Sequence, residues 1–341
     1  MGLLNKSIRI KNLELKNRLV MPPMAISKAD ENGKATTKTF DYYKEKSAGG
    51  YIGLIITEHS YVSQEGKASK GQLSIADDGA IAGLQQLASL IHKNNTNAIA
   101  QLSHAGGATT MAVTGLEQLS VSAVKMPRGS LTAPHGNGPL PKEMSLTDIK
   151  KVVDDFTKAA LRAKAAGFDG VEIHSAHGYL LNQFYSPLTN KRVDEYTGNT
   201  IDGRIKLHLE IIQSISREVG ESYPIGLRLG ACDYIEGGST IEDSVLAVKK
   251  FEKAGLDFID ISGGFCGYIN PVSSEQGYFG ELTKIIKQQV SIPVILTGGI
   301  VDAKAAEKLL LEEKADLIGV GRAILRDSSW PKEAIETASA T

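Results

Sequence analysis

The sequence predicts a single (β/α)8 barrel domain spanning residues 1–341. The first observation is that eight short apolar runs alternate with longer amphipathic patterns along the whole chain. The second is that several of these runs are continuously hydrophobic, as strands buried on both faces are. A doubly wound open sheet is the alternative fold. It would usually place a glycine-rich turn after its first strand, where this chain reads MPPMA.

The strands and helices follow one another in eight predicted units. The strands are predicted at Leu19–Met21, Gly53–Thr57, Ala98–Leu102, Gly170–Ile173, Ile225–Leu229, Phe258–Ile261, Val294–Leu296 and Leu317–Val320. The helices are predicted at Phe40–Ala48, Ile81–Asn94, Leu146–Ala166, Arg204–Val219, Ile241–Ala254, Gly280–Val290, Ala303–Glu313 and Ser329–Ala338. The third helix has the clearest boundaries, because Ser145 and Asp148 form a capping-box pattern before it and Gly167 follows it.

One connection is too long for a minimal unit. Residues 103–143, between the third strand and the third helix, are rich in Gly, Pro, Ser and Thr. Long insertions of this kind in compact domains are usually functional lids or disordered segments. Since the connection follows the carboxyl end of a barrel strand, where active sites lie, we interpret it as a lid.

Composition limits the classes of function. The formal net charge is −1, which gives no reason to expect a nucleic acid or an anionic membrane as a partner. No apolar run approaches the roughly 20 residues of a membrane-spanning helix. Cys232 and Cys266 form no CxxC pair, so we expect neither an iron–sulfur cluster nor a structural zinc. No metal site is expected, and a reducing, cytoplasmic location fits this cysteine usage.

The residues with the strongest chemical signal lie in Gly170–Leu181, which reads GVEIHSAHGYLL. A buried strand ends there and is followed by His174, His177 and Tyr179. Neutral imidazoles can donate hydrogen bonds and a phenol can give up a proton, so the group suits acid–base chemistry. The alternative is that these side chains only cap the strand.

The ends of the other strands indicate a phosphate-bearing, planar ligand. Gly298-Gly299 and Gly321-Arg322 follow the last two strands, where barrels often bind phosphate through backbone N–H groups. Tight turns are the alternative explanation of these glycines. The remaining strand ends offer apolar packing, backbone groups and polar side chains for a flat ring, namely Pro23, Met24, Ala25, Glu58, Gln101, Arg228 and Gly263. A permanent cation such as Arg228 could stabilise negative charge on a reduced ring.

Taken together, these motifs resemble the Old Yellow Enzyme family of FMN-dependent ene-reductases over nearly the whole chain. The similar stretches are NRLVMPPM, QLSHAG, IHSAHGYLLNQF, GLRLG, TGGI and IGVGRAILRDSSWP. The resemblance implies non-covalent FMN and NADPH or NADH as reductant, with an α,β-unsaturated carbonyl compound as substrate. FMN would contact Pro23, Met24, Ala25, Glu58, Gln101, Arg228, Gly298, Gly299, Gly321 and Arg322.

The resemblance also assigns roles to the His/Tyr group. His174 and His177 would hydrogen-bond the carbonyl oxygen of the substrate, which would stabilise developing enolate-like charge. Tyr179 would protonate the α-carbon after the flavin delivers hydride to the β-carbon.

The chain departs from the family pattern at Ala25, where the bacterial branch often has Cys, and at Ser27, near which it often has Tyr. A C-terminal arginine that reaches a neighbouring subunit in that branch has no counterpart after Arg326, although a homo-oligomer is still allowed. Two other functions stay open: a metal-dependent barrel hydrolase using the two histidines, and a binder of flavin or phosphate ligands that catalyses nothing.

Overall fold

The computed structural model describes residues 2–127 and 139–340, and its centre is a closed ring of eight parallel strands. The strands are β1 (Leu19–Met21), β2 (Leu54–Ile56), β3 (Asn97–Ser103), β4 (Gly170–Ser175), β5 (Ile225–Gly230), β6 (Phe258–Ser262), β7 (Val294–Leu296) and β8 (Leu317–Gly319). Each pairs with its sequence neighbours, and β8 pairs with β1 to close the ring. The predicted barrel is confirmed, and all eight predicted strands are present.

Helices follow the strands and surround the barrel. They are α1 (Thr37–Ser47), α2 (Ile81–His92), α3 (Leu146–Ala165), α4 (Ile201–Val219), α5 (Ile241–Lys253), α6 (Gly280–Lys287), α7 (Ala303–Leu311) and α8 (Trp330–Ala340). The predicted capping box is present, since Ser145 N donates to Asp148 Oδ2 at 2.8 Å and Asp148 N donates to Ser145 Oγ at 3.2 Å. Within residues 2–127 and 139–340, no helix is long and apolar enough to cross a membrane.

Several short elements were not predicted. Single-turn helices at Leu180–Tyr185 and Arg322–Arg326 precede α4 and α8. An antiparallel hairpin of Ile8–Ile10 and Leu13–Leu15 precedes β1. Its side chains join an apolar cluster with inward-facing strand residues, comprising Ile10, Leu15, Val20, Leu54, Ile56, Ile99, Phe258, Ile295 and Leu317. The hairpin therefore covers one end of the barrel and leaves the opposite end for the site.

The long connection after β3 contains short elements of its own. A helix at Met111–Thr114 is followed by Leu119–Ser120, which pairs in parallel with Lys142–Glu143. The part of the predicted lid at residues 128–138 lies outside the described residues. The Arg192 guanidinium donates to Val121 O at 3.1 Å and to Met144 O at 2.6 Å, so one side chain joins the middle of the insertion to the residue that follows it. Its role as a lid, and the single-domain organisation over residues 1–341, stay predictions.

Gly226 in β5 tests the packing of the barrel interior. A Cβ at this position would lie 2.0 Å from Cζ of the buried Phe258 ring. We expect Gly226→Ala to lower the free energy of unfolding by about 1–3 kcal/mol, the usual cost of overpacking a core, measured by urea denaturation. The control is Gly83→Ala within α2, where the new Cβ would lie 3.5 Å from the Ala35 Cβ, an ordinary van der Waals contact. Because alanine favours a helix more than glycine does, the free energy of unfolding should be unchanged or slightly higher. Equal effects at both positions would contradict this account of the core.

Candidate active site

A cavity of about 940 Å³ lies at the carboxyl ends of the barrel strands. This volume is within the roughly 300–1,000 Å³ typical of small-molecule sites. Strand ends and the loop after β6 line it, through Pro22, Pro23, Met24, Ala25, His59, Gln101, His174, His177, Tyr179, Arg228, Gly267, Tyr268, Ile269, Asn270, Ser273, Ser274, Tyr278, Thr297, Gly298, Gly299, Ile300, Val301, Gly319, Gly321, Arg322, Leu325 and Arg326. Most of the predicted site residues therefore meet in one place.

The His/Tyr group forms a compact aromatic cluster on one wall of this cavity. The His174 ring lies 5.1 Å from the Tyr179 ring and 5.2 Å from the His177 ring, both edge to face. His177 has a left-handed backbone (φ 60°) and is followed by Gly178 with φ 77°. The chain therefore turns sharply between the His177 ring and the Tyr179 ring. A non-glycine residue in this conformation is strained, and such strain is concentrated at functional sites.

Burial determines the protonation state of this cluster. The pKa of His174 is held well below its usual range by burial and by the neighbouring His177. The pKa of His177 is also well below its usual range, because of burial and the nearby Arg228 cation. Burial raises the pKa of Tyr179 to about 12. At neutral pH the wall therefore carries two neutral imidazoles and a protonated phenol, all able to donate hydrogen bonds.

Arg228 lies beside this wall and is paired from within the barrel. Its Nε lies 3.1 Å from Asp260 Oδ2 on the adjacent β6, and both side chains are buried. On the other side of β5, Glu172 on β4 accepts a hydrogen bond at its Oε1 from Gln101 Nε2 on β3, at 2.8 Å. Burial raises the pKa of both Glu172 and Asp260, while the Arg228 cation opposes the rise. A single guanidinium between two buried carboxyls favours a state in which one carboxyl is protonated, and Arg228 remains a fixed cation.

The opposite wall is built from glycines. Gly298 and Gly299 have φ of 128° and 69°, and a Cβ on either would lie 2.7 Å from the ring of Tyr278. At Gly321, an added Cβ would lie 2.7 Å from Met24 Sδ. At Gly298 and Gly299 the positive φ and the Tyr278 ring both favour glycine, so the backbone here can approach a ligand closely. Arg322 adds a cation, and its Nη2 donates to Tyr278 Oη at 2.9 Å.

Two residues of the predicted site do not face the cavity. Glu58 is 1% exposed, and its Oε2 accepts a hydrogen bond from Ile26 N at 3.4 Å. Gly263 accepts from His177 N at 3.3 Å, and a Cβ there would lie 2.3 Å from Cys266 Sγ. Neither Glu58 nor Gly263 is among the described residues that line the cavity. Both support neighbouring segments that do line it, and direct contact with a cofactor stays a prediction for them.

Sequence reasoning missed several residues of the cavity wall. His59, which directly follows the predicted site residue Glu58, and Arg326 are not among the predicted site residues, although both line the cavity. The largest omission is the loop Gly267–Tyr278 between β6 and α6, which contributes two tyrosines and polar side chains. Its sequence, GYINPVSSEQGY, is longer than a short βα turn, and this length and aromatic content could have indicated a role in the site.

The family model described as "NADH:flavin oxidoreductase / NADH oxidase family" matches residues 4–339. The chain belongs to this family. An NADH oxidase of Thermoanaerobacter brockii is 41% identical over 334 residues, covering 96% of this chain and 50% of the relative. An NADPH dehydrogenase of Halalkalibacterium halodurans is 37% identical over 326 residues, covering 95% and 91%. The chain thus spans about half the length of the first relative and most of the second.

Two solved structures share the fold of this chain. A 2-naphthoyl-CoA reductase in complex with 2-naphthoyl-CoA superposes with a TM-score of 0.89 at 26% identity, over 98% of this chain and 52% of that chain. The old yellow enzyme homologue from Zymomonas mobilis gives a TM-score of 0.84 at 26% identity, over 98% and 93%. The predicted membership of the Old Yellow Enzyme family is confirmed, and with it FMN as cofactor and a nicotinamide nucleotide as reductant.

The residues present in the cavity fit FMN. The bare backbone of Gly298, Gly299 and Gly321 leaves room for a phosphate next to Arg322, and Arg228 supplies a buried cation on the side facing the imidazoles. His174 Nδ1 is buried and has no hydrogen-bond partner among the described residues, as expected of a site that a ligand completes. No group of three or more His, Cys, Asp or Glu side chains that could hold a metal ion occurs in the described ranges.

Glu58 yields a prediction about pH and stability. Burial raises the pKa of Glu58 to about 8 in the folded protein, whereas the unfolded chain should titrate near the ordinary value. Because the folded state retains the proton longer, this group makes the free energy of unfolding fall as pH rises from about 4.5 to about 8. Glu58→Gln should reduce that fall, measured by thermal unfolding of the holoprotein across this range.

The control is Glu336→Gln, which changes an exposed carboxylate. The thermal stability of this variant should vary with pH as that of the wild type does. If Glu58→Gln leaves the slope unchanged, the Glu58 carboxyl is not held protonated near Ile26.

Proposed function

We propose that this chain reduces the activated C=C bond of α,β-unsaturated carbonyl compounds with electrons from NADPH or NADH. The observation that carries the proposal is the juxtaposition of Tyr179 with His174 and His177 in the cavity that also contains the glycine wall and Arg228. A phenol and two neutral imidazoles match what such a substrate requires: two donors for a carbonyl oxygen and one proton for carbon.

Each side chain has a defined task in this proposal. When bound, FMN supplies the hydride-transfer chemistry. His174 and His177 hold the carbonyl oxygen and stabilise the negative charge that develops on it. His177 Nε2 is 2.8 Å from Ser262 Oγ, which orients this imidazole. Tyr179 holds its proton at neutral pH because its pKa is raised to about 12, and it can release the proton to the strongly basic α-carbon.

Arg228 contributes a charge that does not titrate. Its guanidinium is buried beside Asp260 and borders the cavity, so it offers a fixed cation where a reduced ring carries negative charge. The glycine wall and Arg322 would hold the phosphate of the cofactor. In this proposal NAD(P)H and the unsaturated substrate occupy the same cavity one after the other. The two imidazoles can therefore bind the carboxamide of the nicotinamide first and the carbonyl of the substrate afterwards.

The cofactor and the reductant can be tested directly. The purified protein should have the visible spectrum of an oxidised flavin, and heat release with mass analysis should identify FMN. Anaerobic addition of NADPH and, separately, NADH should bleach the flavin band and show which nucleotide is preferred. Release of FAD, or no flavin after reconstitution, would contradict the assignment of the cavity.

The Tyr179→Phe variant tests the proposed proton donor. It removes the hydroxyl and keeps the ring that packs on His174 and His59. Flavin reduction by NAD(P)H should change little, whereas reoxidation by cyclohexenone should slow by roughly 100- to 10,000-fold, the range for a general acid. Stopped-flow absorbance measures the two half-reactions separately.

Reoxidation by oxygen is the internal control, because it requires no proton transfer to carbon and should be nearly unaffected in Tyr179→Phe. If the variant slows reduction and both reoxidations equally, Tyr179 has a structural role and the proton comes from another group.

A further inference from the structure

His59 is a third imidazole on the wall of the cavity, and the proposed reaction does not use it. It lies two residues beyond Thr57 at the carboxyl end of β2, is 8% exposed, and lines the cavity. Its ring stacks on Tyr179 with centroids 5.3 Å apart and an interplanar angle of 25°. It also meets the edge of His174 at 6.1 Å. The three imidazoles and the phenol therefore form one continuous polar surface.

The neighbouring Gln72 fixes which nitrogen of His59 carries the proton. Gln72 Oε1 accepts a hydrogen bond from Ala68 N at 2.7 Å, so the amide orientation is defined and Nε2 is the donor. Gln72 Nε2 lies 3.0 Å from His59 O and 3.0 Å from His59 Nδ1, and its two hydrogens serve both acceptors. Nδ1 therefore accepts, and the imidazole proton is on Nε2.

This tautomer is stable at neutral pH. Burial, with the Arg228 cation as a smaller cause, lowers the pKa of His59 to about 4, so the ring stays neutral. Among the described residues, none accepts a hydrogen bond from His59 Nε2. A neutral N–H at a cavity wall without a protein acceptor is unfavourable unless a ligand or water accepts from it.

We propose that His59 is a specificity-determining residue that donates a hydrogen bond to a second carbonyl oxygen of the substrate. His174 and His177 bind the activating carbonyl, and the separation of the His59 and His174 rings, 6.1 Å, suits a second oxygen across a small ring. The favoured class is thus unsaturated 1,4-dicarbonyl compounds. This inference rests on the proposed function for its reaction, although the hydrogen bond itself can be tested by binding alone.

A site that positions a donor for one substrate oxygen discriminates against analogues that lack the oxygen, because the donor is then left without a partner. The selectivity would come from His59 rather than from the reaction itself. Cyclohex-2-ene-1,4-dione is more activated than cyclohex-2-enone in any enzyme of this kind. The informative quantity is therefore the change in their kcat/KM ratio on mutation, not the ratio in the wild type.

The test uses the flavin-loaded holoenzyme and the variant His59→Phe, which keeps an aromatic ring against Tyr179 and removes the N–H donor. The kcat/KM ratio of the dione to the enone should fall by roughly 10- to 100-fold. Gln72→Met leaves His59 in place but frees its tautomer, and it should lower the same ratio by a smaller factor.

His92→Phe is the matched control. His92 lies at the end of α2, where its Nε2 is 2.8 Å from Asp169 Oδ2, and it does not line the cavity. This variant should leave the ratio unchanged. An equal loss for both substrates in His59→Phe would overturn the proposal, since it would mean that His59 only supports the phenol ring.

Binding of saturated analogues separates this inference from the proposed function. Isothermal titration calorimetry with cyclohexane-1,4-dione and cyclohexanone needs no turnover. The wild type should bind the dione more tightly, and His59→Phe should lose that preference. An unchanged preference would overturn the role of His59. If the reduced wild-type holoenzyme reoxidises with neither unsaturated compound, the proposed function fails, and the calorimetric result alone then decides whether His59 donates to the second oxygen.

Discussion

Closure of the parallel hydrogen-bond ladder is the constraint on which the site depends. Because the eight barrel strands are parallel and β8 pairs with β1, residues from distant parts of the sequence meet at one rim. The register sets the contacts in detail: Arg228 lies opposite His174 on one side and opposite Asp260 on the other. A slip of one residue in β5 would turn Arg228 toward the helices and leave Asp260 buried without its cation.

Removal of water from this rim explains the charges found there. Desolvation holds the imidazoles of His59, His174 and His177 neutral and keeps the Tyr179 phenol protonated. The same desolvation requires that the buried cation Arg228 be paired within the barrel, and Asp260 is placed for this. The cavity therefore combines neutral hydrogen-bond donors with a permanent cation.

The sequence was sufficient for the barrel because its strands are buried on both faces and read as continuous apolar runs. It was insufficient for the Ile8–Leu15 hairpin, whose three-residue strands are stabilised by packing under the barrel rather than by a local pattern. It also placed His174, His177 and Tyr179 together correctly, since one strand end carries all three. The direction of the Glu58 side chain could not be predicted, because it depends on the backbone of Ile26, which follows a different strand.

The tautomer of His59 could not be predicted from the sequence. It is determined by Gln72, thirteen residues away, whose own orientation is determined by Ala68. No spacing rule connects these three residues.

The two walls of the cavity are constrained in different ways. The glycine wall is restricted by shape, since any side chain at Gly299 would strike Tyr278, whereas the imidazole wall is restricted by hydrogen bonding. Because the two walls come from different strands, substitutions at His59 can alter the imidazole wall while the glycine backbone of the opposite wall is left unchanged.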